Sequence, residues 1–494
     1  MLRLLGSQRR LCGGLTRRDW MHVGGLGFLG LSLADAERLR ANVQPTRGVN
    51  FGKAKSCILL LPYGSPPQHE TFDPKPNAPK EIRGVHTPIS TALPGVQFCE
   101  GLPNVAKIAD KLTVVRSMTH PYPLHCTAYV TSGIPDYTPA LETRPRDRKH
   151  WPFIGSVVDY VEERRTGSVS GFPRNIAMPW KMNSRGGEAA TVQAGPYAAF
   201  LGRAYDPVLT DFPHAGSQEI IKHRPYGTPH TVQDPYAGIQ PQDRFEMAGV
   251  KSESGISIDR LNRRKSLLQQ FAQQRTRFDG HPATASFDRH QRMAWSLVSS
   301  SKVQTALDIQ SESPKLRAQY GMNLFGQSCL LARRMVEAGT RFATVFWDEY
   351  AYLNTDWDTH WNQTHRLNGW LLPGFDSAFS ALILDLEDRG LLDETLVVWM
   401  SEHGRTPKFN GNAGRDHWSR VYSICLAGAG ISPGKVVGAS DDIGGDVQDT
   451  PVSPKDILAT ILHLLGIDPH THVPDQLDRP MPVAGTGKVR FDLV

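Results

Sequence analysis

Residues 396–407 read Leu-Val-Val-Trp-Met-Ser-Glu-His-Gly-Arg-Thr-Pro. The apolar stretch does not alternate, and it stops abruptly at a carboxylate, an imidazole and a glycine. A short run of this kind suits a strand buried on both faces, as in the interior of a parallel sheet. Ser56 to Leu61, Leu112 to Val115, Arg341 to Trp347 and Val421 to Ala427 have the same character. Between them the spacing predicts helices over 324–338, stopped by Gly339, and over 371–386, closed by Gly390. A last helix opens with Ser453 as cap and Pro454 in the first turn, and runs through Ile457, Ile461 and Leu464. Buried strands alternating with amphipathic helices imply an α/β sandwich around a mostly parallel sheet.

The rest of the chain fits around that frame. Its 45 Gly and 36 Pro among 494 residues are an excess that indicates many ordered loops and argues against a helical bundle or coiled coil. Residues 168–250 are rich in Pro, Gly, Tyr and Asp without clear periodicity, and read as long loops or a small subdomain. Residues 256–320 read as polar helices that complete an insertion at about 168–320. Arg260, Arg263, Arg264, Lys265, Arg275 and Arg277 in that insertion read as a solvated helix face. A single domain is expected over 50–485.

Net charge is +6, but much of it sits at the start of the chain. Residues 1–36 carry Arg3, Arg9, Arg10, Arg17 and Arg18 against Asp19 and Asp35. The remainder is too nearly neutral for a nucleic-acid-binding face. Thr16-Arg17-Arg18-Asp19-Trp20-Met21, a weakly apolar run and Ala34-Asp35-Ala36 resemble a twin-arginine export signal. A periplasmic or extracellular protein is therefore expected, with no membrane span in its body. Cys57, Cys99, Cys126, Cys329 and Cys425 remain after the signal. An odd number without paired short spacings is not a disulfide framework.

Ligands of open α/β sheets bind at the carboxyl ends of the strands. There Glu402 and His403 combine a hard and a borderline donor, a pair suited to zinc or a similar divalent ion. Asp416 and His417 come just before the 421–427 run, and Asp356, Asp358 and His360 lie before the 371–386 helix. Glu70 and Asp73 follow the first strand.

Together with Phe72-Asp73-Pro74-Lys75-Pro76, Cys329-Leu330-Leu331-Ala332-Arg333-Arg334, Trp357-Asp358-Thr359-His360, Gly404-Arg405-Thr406-Pro407 and Asn412-Ala413-Gly414-Arg415-Asp416-His417-Trp418, this order resembles the alkaline phosphatase, sulfatase and phosphoglycerate mutase superfamily. Within it, the chain is similar to a secreted, sulfatase-like bacterial family of unknown function exported by the twin-arginine route. The resemblance spans nearly the whole mature chain and implies an alkaline-phosphatase-like three-layer sandwich. It also implies a divalent metal ion, zinc, calcium or similar, held by Asp358, His360, Glu402, His403 and His417, with Glu70 a weaker ligand. Glu402 stands where the superfamily has Asp. The superfamily spaces its Asp and His four apart, which Asp356 and His360 satisfy instead.

The nucleophile is the departure from that pattern. Counting back from Ser132-Gly133 reaches Pro123, which cannot attack, and no Cys-x-Pro-x-Arg sulfatase motif is present. His125 matches a histidine of the close family, and its role stays open between ligand, base, phosphate contact and a bond to backbone. Arg405 is expected to turn its guanidinium toward an anionic group. Two readings follow: a metal-dependent hydrolase of phosphate or sulfate esters acting on a small molecule or glycan, and a non-catalytic exported binding or scaffold protein. The sequence names no protein partner.

Overall fold

The computed structural model of the chain describes residues 48–187, 195–222, 229–247, 282–352 and 356–494. The leading segment read as an export signal and the basic cluster at 260–277 lie outside the described residues. The strands that frame the site are β1 (Ser56–Pro62), β2 (Leu112–Met118), β3 (Asn175–Met178), β4 (Val208–Asp211), β5 (Glu246–Met247), β6 (Phe342–Trp347), β7 (Thr395–Trp399), β8 (Gly404–Arg405), β9 (His417–Trp418), β10 (Tyr422–Ala427) and β11 (Lys435–Val437). Nine of them form one sheet in the order β11-β2-β10-β7-β1-β6-β3-β4-β5, and β8 and β9 pair as a separate ribbon. Only β10 and β5 run against the other sheet strands.

The principal helices are α1 (Ile154–Thr166), α2 (Pro282–Ser299), α3 (Leu324–Glu337), α4 (Leu372–Asp388) and α5 (Pro454–Leu464). Every residue of β1 is buried, and its side chains divide between two cores. Ile58 and Leu60 join a cluster with Phe325 and Leu330 of α3 and Phe375 and Leu382 of α4. Cys57, Leu59 and Leu61 join another with Val157 of α1 and Ile457 and Ile461 of α5. The sheet is therefore the middle of three layers, and its unalternating strands follow from having a core on each side. Burying one such side chain is worth ~1.5–3 kcal/mol, more than the ~1 kcal/mol typical of a helix cap. The α5 cap is nonetheless complete, with a reciprocal box between Ser453 and Asp456.

The segment read as loops differs from expectation, because β3, β4 and β5 extend the main sheet. They contain four, four and two residues, too few for a periodic signal to rise above the Pro and Gly between them. The five cysteines among the described residues are buried and free, and burial pushes the Cys126 thiol up to about 12.

Candidate metal centre

Four chain segments meet beyond the carboxyl ends of β1 and β7. The first is Tyr63-Gly64-Ser65 after β1, and the second is Ser401 to Arg405 after β7. The third is the loop 356–363. The fourth is the 119–126 segment that leaves β2 and carries His125. The β8–β9 ribbon sets Arg405 opposite His417, which brings that histidine back over the strand ends.

The loop 356–363 is held by backbone contacts on both sides. A side chain at Gly64 would collide with the backbone of Asp358, and one at Gly414 with that of His360. Arg366 donates to the carbonyls of Asp358 (2.9 Å) and Asp356. Asn410 Nδ2 donates to the His360 carbonyl at 2.9 Å. These contacts fix where Asp358 and His360 point.

His125, His403 and His417 form one group whose ligand atoms lie within 4.8 Å of one another, and Asp358, His360 and His417 form a second, sharing His417. His360 Nε2 lies 2.9 Å from His417 Nε2. Asp358 Oδ1 is 3.2 Å from His360 Nε2, and 3.3 Å from both His417 Nε2 and His125 Nε2. Three imidazoles are backed at Nδ1: His360 on Asp416 Oδ1 (2.7 Å), His403 on the Gly404 carbonyl (2.8 Å) and His417 on the Pro123 carbonyl (3.2 Å). A ring that donates from Nδ1 presents a lone pair at Nε2. His403 Nε2 and Asp358 Oδ2 are buried without a hydrogen-bond partner. Two facing lone pairs 2.9 Å apart repel unless a proton or a cation lies between them. The groups could therefore hold a metal, and the backing of each ring by a carbonyl or carboxylate is how ligating histidines are commonly fixed.

The electrostatics are divided among the rings. His403 is held well below the usual imidazole range by burial, with His417 and His125 adding to it. Burial brings His417 down to about 4, although Asp358 opposes it. His125 goes the other way: burial disfavours its charge, but Asp358 at 3.3 Å and Glu402 at 3.5 Å outweigh it and push the ring up to about 10. Asp358 is held well below the carboxylate range by His125 and Arg405 despite complete burial. The rim is open on one side, where the side chains of His360 and His417 are 22% and 21% exposed.

Not every expected residue joins the cluster. Glu402 sits beneath it, accepting from Gly64 N (3.2 Å) and Ser401 Oγ (2.5 Å) and facing His125. Glu70 is in neither histidine group; its Oε1 accepts from Arg415 Nη2 at 2.6 Å. Arg405 turns its guanidinium toward an anionic group, which is the buried carboxylate of Asp358. The guanidinium donates to the carbonyls of Ser65, Arg415, Gly64 and Trp357 and to Asp358 Oδ1 at 2.5 Å. Asp358, not Asp356, faces the histidines; Asp356 turns to Lys222 (3.4 Å) and Trp370 Nε1 (3.2 Å).

The sequence reading missed Ser65. Its backbone φ is 70°, a left-handed conformation rarely adopted outside glycine, asparagine and aspartate and one that clusters at functional sites. Its hydroxyl accepts from His403 N at 3.1 Å and reaches Glu402 Oε2 at 3.4 Å. Only its place directly after β1, between Gly64 and Pro66, could have drawn attention to it.

A family model described as "Protein of unknown function (DUF1501)" matches residues 54–493. No curated protein matches the chain. Among solved structures, the chain is similar to a protein in the alkaline phosphatase superfamily from Vibrio parahaemolyticus, 12% identical at TM-score 0.39, covering 89% of this chain and 70% of that one. It is similar to the PsFucS1 sulfatase from Pseudoalteromonas sp., 12% identical at TM-score 0.34, with 83% and 68% covered. It is also similar to a phosphonate monoester hydrolase from Silicibacter pomeroyi, 14% identical at TM-score 0.32, with 88% and 74% covered.

Proposed function

The chain belongs to the DUF1501 family, whose description assigns no activity, and we propose that this member is a divalent-metal-dependent hydrolase of phosphate or sulfate esters. One observation carries the reading: two groups that share His417, His125–His403–His417 and Asp358–His360–His417, each present their ligand atoms within 4.8 Å of one another, with His403 Nε2 and Asp358 Oδ2 lacking any hydrogen-bond partner. His360, His403, His417 and Asp358 would hold the ion, with His125 beside them. Three nitrogen donors against one carboxylate favour a zinc-like ion over calcium, which takes six or more oxygens. A bound divalent ion supplies polarisation of an ester oxygen and acidification of water.

The chain's own groups supply the rest. Asp416 and the Gly404 and Pro123 carbonyls keep the rings oriented. Arg405 holds Asp358 ionised and in place. His125, protonated between Asp358 and Glu402, lies beside the ligand groups and can give a proton to the leaving oxygen. The substrate is an anionic ester on a small molecule or glycan that enters on the exposed side of His360 and His417. Export is part of this proposal, supported by the paired Arg17-Arg18 and the Ala34-Asp35-Ala36 end of the leading segment.

The second reading, an exported binding or scaffold protein, draws on Pro123 at the nucleophile position and on the burial of Arg405 against Asp358. Metal analysis of the purified chain together with assays on aryl phosphates and aryl sulfates separates the two. Stoichiometric metal that disappears in the His403→Ala His417→Ala double variant, along with hydrolysis of one ester class, is the expected result. A metal-free wild-type protein with no hydrolysis of either class would overturn the hydrolase reading.

A further inference from the structure

His360 carries one of the proposed ligand nitrogens, yet the group behind its ring is poorly placed to hold it alone. The Asp416 side chain is 55% exposed, and a bond to an exposed carboxylate orders a ring weakly, because water competes for the same oxygens. The main chain of the loop is better held. Arg415 N donates to the Thr359 carbonyl (3.0 Å), Asn362 N to the Asn412 carbonyl (3.1 Å) and Gln363 N to the Ala413 carbonyl (3.0 Å). These backbone bonds seat the loop 359–363 on the turn 410–415, but they do not reach the imidazole.

We propose that Asn410, at the start of that turn, is the positioning residue for His360, its one carboxamide holding both the main chain of the histidine and the carboxylate behind its ring. This role rests on the metal reading of the site. Asn410 Nδ2 donates to the His360 carbonyl (2.9 Å) and to Asp416 Oδ1 (3.0 Å). The same Asp416 oxygen faces His360 Nδ1 at 2.7 Å. The other end of the amide is committed to the turn, where Oδ1 accepts from Asn412 N (2.9 Å) and Gly414 N (3.1 Å).

Four bonds to four different groups fix which end of the amide is which, since turning it over would set oxygen against a carbonyl and a carboxylate. They also explain the residue type. Alanine would supply none of the four bonds, and aspartate would keep the two acceptor bonds to the turn while losing both donors. The connection is closed: from the His360 carbonyl through the amide to Asp416 and back to His360 Nδ1. Turning the ring must therefore break the bond at a carboxylate that is itself held from a second side. With the ring so held, Nε2 stays directed at Asp358 Oδ1 (3.2 Å) and His417 Nε2 (2.9 Å), where the other donors converge.

The test is a competition titration of zinc against a chromophoric chelator on the full chain. It compares wild type, Asn410→Asp, Asn410→Ala and His360→Ala with the two Asn410 substitutions placed in the His360→Ala background. Both single Asn410 variants should lose at least ~10-fold in zinc affinity, the lower end of what supporting partners of ligands carry. The added charge of Asn410→Asp would by itself favour a cation, so a fall there reports lost positioning. In the His360→Ala background neither substitution should change affinity by more than ~2-fold, because the ring it acts through is gone. Affinity within ~2-fold of wild type in both single variants overturns the role, as does an equal loss with and without the His360 ring. A lowered urea midpoint with unchanged affinity marks a merely structural residue and overturns it too. These results leave the metal reading standing, whereas a wild-type chain that takes up no zinc overturns both.

Discussion

Asp356 and Asp358 stand two positions apart and are equally buried, at 1% exposure each, yet they occupy opposite electrostatic situations. Asp356 belongs to a closed charge group. Lys222 lies 3.4 Å from it, 2.5 Å from Asp234 and 2.8 Å from the Tyr350 carbonyl. Burial lowers the charged state of Lys222, but the two carboxylates more than reverse this and raise it. Asp358 belongs to an open group, in which one carboxylate faces several imidazoles and keeps one oxygen unpartnered. Burial is the same in both; the difference is whether the partners complete one another. A closed set holds loops together, and an open one holds a place for something else.

The comparison can be broken at several points. Its largest expected effect is in the closed group: Lys222→Met leaves two carboxylates buried without their cation and should destabilise the fold by ~3–5 kcal/mol, read by urea unfolding. A loss under ~1 kcal/mol would mean that water already reaches the group. In the open group, His403→Ala combined with His417→Ala should lower zinc affinity more than ~100-fold, since supporting partners alone typically carry 10–100-fold. A competition titration with a chromophoric chelator measures it, and unchanged affinity would place the ion elsewhere.

Asp416→Ala removes the backing of His360 and a bond from Asn410 Nδ2 (3.0 Å) and should cost ~10–100-fold in the same titration, leaving His403 and His417 in place. A smaller effect concerns a different buried lysine. Among the described residues, Lys455 has only the carbonyls of Tyr129 and Ser132 (2.7 Å) for acceptors, and burial brings it down to about 7. Between that value and its unfolded one, the unfolded chain binds the extra proton. Wild-type stability should therefore rise relative to Lys455→Met by up to ~1.4 kcal/mol per pH unit from about pH 7.5 to 10. Equal slopes in parallel denaturant titrations would show that a counter-charge reaches Lys455, as one reaches Lys222.

Much of the architecture was legible in the chain because the signals were local. The unalternating runs at Ser56, Leu112, Arg341, Leu396 and Val421 became adjoining strands, and Ser453-Pro454 opened α5. Placing chemistry at strand ends led directly to His403, His417 and the 358–360 loop. The short strands β3 to β5 escaped notice because four residues cannot display a period.

What the sequence by itself determined is the layered sheet, the rim where polar groups collect and the kinds of donor found there, since periodicity and strand ends are set by neighbours in the chain. Only the tertiary structure decided which partners those donors take. Glu70 meets Arg415 across 345 positions, Arg405 folds back onto Gly64, Ser65 and Asp358, and Asp358 rather than Asp356 turns to the histidines. Charge pairing depends on distances between loops far apart in the chain, and backbone contacts such as those at Gly64 and Gly414 set those distances.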